Sequence, residues 1–219
     1  MLLMFFLAVP EPVAFFPLNA RYKAAEKENR QLRGMLGDVA ITNGPYNEPG
    51  GAYMFYGTAS SYIEFPNKGR LDTRWSITLM CWVQQKGQGV LFVYGSPSSK
   101  AGVGIWIVRE GKFYIRIAKI SFDRLRPLET AEVLPAGKWV HVAASYDHNT
   151  GNNSLYINGH FSISQNIGKG YKIGTTGEKV RMGTRSVLNW HFKGKIAEMK
   201  VYDVALNEAQ IQTSIRQGS

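Results

Sequence analysis

Two runs of this chain set aromatic rings beside cations, the combination that can hold an acidic sugar. In Lys112-Phe113-Tyr114-Ile115-Arg116 the residues Lys112, Tyr114 and Arg116 fall two apart, so a strand there would project all three to one side. Trp190, His191 and Lys193 form a second group, downstream of Arg185. A ring covers the apolar face of a sugar, while Arg or Lys meets carboxylate or sulfate with charge-assisted hydrogen bonds. The plainer reading of Trp190 is a ring packed beneath its own loop. Charge points the same way as chemistry. The chain has a net charge of +10, and between Gln165 and Lys195 seven basic residues stand against Glu178 alone. Such a cluster suits an acidic glycan, an acidic protein, an anionic membrane surface or nucleic acid, or is an ordinary solvated face. Nucleic acid is not expected, because no groove-reading helix or recognised RNA- or DNA-binding motif accompanies the cluster.

Catalytic patterns are missing. Glycoside hydrolysis needs two carboxylates flanking one bond, and no strand carries such a pair. Glu26 and Glu28 lie close together, but in a Lys/Arg-rich loop expected to keep both ionised and solvated. Glu198 stands alone. None of His141, His148, His160 and His191 has a helical i, i+4 partner, and no G-x-S-x-G occurs. His141 reads as a core-edge or surface histidine. The expectation is a protein that is not an enzyme.

A metal has little to hold it. Asp147, Asn149, Asn152 and Asn153 cluster in one polar segment and Asp72 lies elsewhere, a set that could support at most one weak calcium ion. Asp and Asn also make turns with no metal at all, and that reading is preferred. No other cofactor is expected. The single cysteine, Cys81, sits in the apolar run SITLMCWV, which predicts an inert buried thiol and excludes an intrachain disulfide.

The elements that must carry these residues are strands. Pro135–Phe161 shows the pattern most clearly: Trp139 to Tyr146 alternates between two faces, DHNTGNN reverses the chain, and Leu155, Ile157 and Phe161 resume the alternation. Further strands are predicted at Ala52–Tyr56, Ser61–Phe65, Ser76–Gln84, Val90–Tyr94, Gly104–Arg109, Phe113–Lys119, Lys179–Met182 and Gly194–Tyr202. Ile105 and Ile107, like Ile115 and Ile117, should face the core. Residues 21–34 read as a charged loop with one helical turn, and Asn207 as the N-cap of a short terminal helix. Short strands at this rhythm, in a chain of 219 residues that is 44% apolar, predict one all-β sandwich or barrel. Met1 to Val9 is apolar but too short to span a bilayer, and lacks a basic start; it is a short secretion leader or a first strand. Asn152-Asn153-Ser154 is a glycosylation sequon, which fits secretion.

The ordered pieces FPLN (Phe16–Asn19), SYIEFP with LDT and SITLMCWV (Ser61–Val83), GKFYIRI (Gly111–Ile117), Leu134–Phe161, VRMGTR (Val180–Arg185) and Phe192–Ile211 resemble the laminin G-like, concanavalin A-like lectin family, pentraxins included. The resemblance covers residues 13–215, leaving 1–12 as leader or linker and 216–219 as tail. It implies a two-sheet antiparallel jelly-roll sandwich with one short C-terminal helix. It also implies a non-catalytic, extracellular binding module for carbohydrate, or alternatively a protein-interaction or adhesion module. The family's calcium ligands do not carry over: the matching places hold Ser98, Ser99, Lys100 and Ala101, then Thr184, Arg185, Ser186 and Val187. A ligand site built by Lys112, Tyr114, Arg116, Arg185, Trp190, His191 and Lys193 is expected in its place.

Overall fold

The computed structural model describes residues 8–67, 71–95, 102–121, 123, 125–175, 179–185 and 190–217. Expectations for Met1 to Leu7, for Ser98 to Ala101, and for Glu178, Ser186 and Val187 lie outside them. Among the described residues fifteen strands, one short 3-10 turn (Arg109–Gly111) and one α-helix follow one another. They are β1 (Ala14–Phe16), β2 (Met35–Leu36), β3 (Val39–Thr42), β4 (Ala52–Tyr56), β5 (Ile63–Phe65), β6 (Ile77–Gln85), β7 (Gly89–Tyr94) and β8 (Gly104–Ile107). Then come β9 (Lys112–Arg116), β10 (Leu128–Val133), β11 (Trp139–Tyr146), β12 (Asn152–Ile157), β13 (His160–Asn166), β14 (Val180–Met182), β15 (Lys193–Tyr202) and α1 (Glu208–Arg216).

The strands form two antiparallel sheets. The eight-stranded one runs β13-β12-β11-β6-β15-β4-β3, with β1 added against β15; the seven-stranded one runs β10-β9-β8-β7-β14-β5-β2. Alternation decides what lies between them. Leu79, Cys81 and Val83 of β6 meet Ile105 and Ile107 of β8 and Phe113 and Ile115 of β9 in one buried core. Burying each such aliphatic or aromatic side chain stabilises the fold by roughly 1.5–3 kcal/mol, whereas an exposed pair such as Arg74–Asp72 is screened by water and contributes little. The sandwich interior therefore fixes the register. Cys81 is fully buried, and burial pushes its thiol up, as an inert core residue requires.

The charged segment 21–34 differs from expectation. It contains no helical turn; bridges Asn19–Lys23 and Ala25–Arg33 shape it instead. Glu26 is not solvated but 3% exposed. Its carboxylate accepts from the backbone N–H groups of Phe15 at 3.1 Å, Glu28 at 3.0 Å and Asn29. Three donors on one buried anion replace water, which makes Glu26 a staple between loop and β1. At the other end, Asn207 caps α1 in a reciprocal box with Gln210, each 3.0 Å contact satisfying an end N–H group.

Candidate functional site

The outer face of the seven-stranded sheet gathers residues that are remote in sequence. On β9 the inward Phe113 and Ile115 are buried while Lys112, Tyr114 and Arg116 point outward. On β8 the same alternation sends Trp106 outward between Ile105 and Ile107. Register then pairs Trp106 with Tyr114, and their rings meet edge to face at 5.6 Å. Arg116 lays its guanidinium carbon 4.9 Å from the Trp106 ring centroid, a cation–π contact that fixes the charge above the sheet. Gly104 makes this arrangement possible. A Cβ there would stand 2.7 Å from Cη2 of Trp106, so the ring can lie across β8 only over a glycine.

The far wall comes from Arg185 and Trp190, which lie between β14 and β15. Gly89 adopts φ +147°, and a Cβ on it would meet the Phe192 nitrogen at 2.1 Å. Glycine thus lets the His191–Phe192 backbone settle on β7. Phe192 N–H donates to the Gly183 carbonyl at 2.7 Å, and Val90 N–H to the Trp190 carbonyl at 3.3 Å. Trp190 itself holds a left-handed φ of +65°, a conformation costing about 1–3 kcal/mol in a residue with a side chain. The result is a cleft of about 130 Å³ lined by Trp106, Val108, Tyr114, Arg116, Arg185 and Trp190.

Four of the residues singled out by sequence, Tyr114, Arg116, Arg185 and Trp190, therefore line one cleft. Trp190 is 36% exposed rather than packed out of reach. Lys112 shares the face, but its ammonium lies 3.4 Å from Glu129 on β10. His191 turns away, sharing a 2.7 Å hydrogen bond with Thr184 Oγ1. Lys193 opens β15 and pairs with Tyr56 in the opposite sheet, outside the cleft. Trp106 and Val108 are lining residues that sequence reasoning passed over; Gly104, two residues before Trp106, is the signal that could have found them.

Three members of the oxygen set considered for a weak ion make side-chain hydrogen bonds. Asp147 Oδ1 accepts from Asn149 N–H at 3.0 Å and Oδ2 from Thr150 Oγ1 at 2.7 Å. Asn152 Oδ1 accepts from Asn166 at 3.1 Å, and Asp72 Oδ2 from Arg74 at 2.8 Å. The Arg74 guanidinium sits on Asp72, while Asn153 is buried with no hydrogen-bond partner for its side-chain amide. Among the described residues no three His, Cys, Asp or Glu side chains gather as metal ligands.

His141 is buried against Trp82, ring centroids 5.3 Å apart, and burial together with the Lys200 charge lowers its pKa to about 3. Glu198 sits at a bulge of β15 with φ +50°, its carboxyl pushed up chiefly by burial. His148 packs on Trp75, and exposed His160 lies 3.2 Å from Glu208.

Known proteins share this sandwich. The binding domain of Paraclostridial Mosquitocidal Protein 1 superposes with a TM-score of 0.74 at 14% identity, over 94% of this chain and 52% of that one. Domain 4 of AbnA, a GH43 extracellular arabinanase from Geobacillus stearothermophilus solved with arabinotriose, gives 0.66 at 20% identity, over 93% and 97%. C-reactive protein of Danio rerio is 29% identical over 133 residues, 56% of this chain and 55% of that protein. The chain thus spans about half the length of the curated relative it matches. Residues 57–212, most of both sheets and the start of α1, match the family model itself, and the chain belongs to the concanavalin A-like lectin/glucanases superfamily.

Proposed function

We propose that the protein is a non-catalytic, lectin-like module that works outside the cell and binds acidic glycans in the cleft on its seven-stranded sheet. One observation carries this reading: two aromatic–basic groups some 70 residues apart in sequence converge on a single cleft, where Trp106 and Trp190 supply rings and Arg116 and Arg185 supply charge. Indole faces cover the apolar side of a sugar, and guanidinium groups discriminate carboxylate or sulfate from hydroxyl. The backbone conformation of Trp190 adds support, since a strained residue held at a cleft wall is common where ligands are gripped. Membership of a lectin-bearing superfamily and a sugar-bound domain of the same fold agree with it. The reading needs no calcium.

A glycan array with and without chelator tests it. Signal confined to carboxylated or sulfated sugars, insensitive to chelator and lost in Arg185→Ala, is the expected result. A blank array, or binding that Arg185→Ala leaves intact, would overturn it.

A further inference from the structure

We infer that the same sheet face carries a second anionic subsite, built by Lys179 and Arg181, so that the protein takes an acidic oligosaccharide rather than one acidic sugar. This rests on the cleft reading above and extends it across the strands. Register sets the geometry. Arg116 pairs with Gly104, Gly104 with Val93, Val93 with Arg181, and Arg181 with Glu64. Residues opposite one another in a sheet share a face. Arg116 and Arg181 therefore stand on the same face with β8 and β7 between them, three strand spacings or about 14 Å apart at the backbone. The strip between them is uncharged: the Trp106 ring lies over Gly104 and packs in one buried apolar cluster with Val93.

The second pair is held as firmly as the first. Arg181 Nε donates to Glu64 Oε2 at 2.7 Å, and its guanidinium carbon lies 4.6 Å from the Tyr62 ring centroid. The Lys179 ammonium binds the other carboxylate oxygen while its side chain stays 61% exposed. Burial alone would push the Glu64 carboxyl up, but hydrogen bonds and charge from Lys179 and Arg181 outweigh it and hold the group below the ordinary carboxylate range. One carboxylate neutralises one of two cations, so the trio stays positive. Glu64 thereby fixes this pair as Trp106 fixes Arg116. Arginine and lysine pinned in advance lose little side-chain freedom on meeting an anion. A single acidic sugar filling a 130 Å³ cleft would not reach them. A chain with a carboxylate or sulfate on successive units would.

Calorimetry with di-, tri- and tetragalacturonate, on the wild type and on Lys179→Ala and Arg181→Gln, separates the two subsites. Affinity should rise at least tenfold from disaccharide to tetrasaccharide. Lys179→Ala should remove most of that rise and leave disaccharide affinity unchanged, and the exposure of Lys179 keeps this variant folded where Arg181→Gln disturbs Glu64. Disaccharide binding with a flat length series would overturn the second subsite and leave the cleft reading standing. No binding at any length, or to sulfated counterparts, would sink the cleft reading as well. Stronger competition by a single-stranded oligonucleotide than by tetragalacturonate would replace the glycan by nucleic acid.

Discussion

The outer faces of the two sheets use similar chemistry to opposite ends. On the eight-stranded sheet Lys200 sits 5.0 Å from the Phe15 ring, much as Arg116 sits over Trp106 on the other. There the likeness stops, because α1 lies over the first face. Leu206 and Ile211 pack on Met80, Ala143, Tyr156 and Tyr202, and the Lys200 ammonium donates to the Ser214 carbonyl at 2.8 Å. That carbonyl belongs to the last turn of the helix, where backbone acceptors lack intrahelical donors and the helix dipole favours a cation. The Tyr202 hydroxyl meets Ser214 Oγ at 2.7 Å. Burial pushes the Lys200 amine down, yet Lys200 and Tyr202 both find their partners in the helix. On the seven-stranded sheet no described helix covers Trp106, and the cations remain above a cleft. A cation beside a ring lies under a helix on one sheet and lines a cleft on the other.

Substitutions should break this contrast in a definite order. Trp106→Ala removes a nearly buried indole that also floors the cleft. It should cost about 3–5 kcal/mol of stability by denaturant unfolding and abolish acidic-sugar binding. Lys200→Met takes a charge-assisted bond from the covered face, so a loss of about 1.5–3 kcal/mol is expected with sugar affinity unchanged. If Lys200→Met weakened binding, the two faces would not be independent.

Acid gives the next effect. The folded pKa of His141 is about 3 against an ordinary 6.5, so the folded protein binds fewer protons than the unfolded chain between those values. Its contribution is fully present above pH 6.5 and lost as pH falls toward 3. Each pH unit in that window removes up to about 1.4 kcal/mol. Glu198, with its carboxyl raised by burial, acts oppositely: its contribution weakens as pH rises above the ordinary carboxylate value. Thermal melts of His141→Phe should therefore show a shallower decline between pH 6.5 and 3 than the wild type. The smallest effect belongs to the cap of the covering helix. Asn207→Ala loses one half of a reciprocal box, about 1 kcal/mol, and should leave sugar binding untouched.

Much of the scaffold was legible because alternation is a strong signal where one face is buried. The β11–β12 hairpin, the core side of β8 and β9, and the Asn207 cap all lie where residue order predicts them. The strands that sequence reasoning missed have a shared character. Met35–Leu36 and Val39–Thr42 are short edge pieces, while LETAEV of β10 and HFSISQN of β13 are largely exposed and polar, so neither face stands out. The cleft was half legible. Tyr114 and Arg116 share a side by simple periodicity, but their meeting with Arg185 and Trp190 depends on strand order β9-β8-β7-β14, which no local pattern encodes. Lys193 was misleading for the same reason: three residues beyond Trp190 the chain has already crossed into the other sheet. Glu26 looked solvated among lysines and arginines, and only the fold shows three backbone N–H groups replacing that solvent.

The five tryptophans offer the most direct test of the central claim, because Trp106 and Trp190 line the cleft while Trp75, Trp82 and Trp139 lie elsewhere. Titrating trigalacturonate into ¹⁵N-labelled protein and following the five indole N–H resonances reads the site without assuming it. The account predicts that the resonances of Trp106 and Trp190 move together and saturably, while the other three stay still. Shifts confined to Trp75, Trp82 or Trp139, or no shift under conditions where calorimetry reports binding, would contradict it.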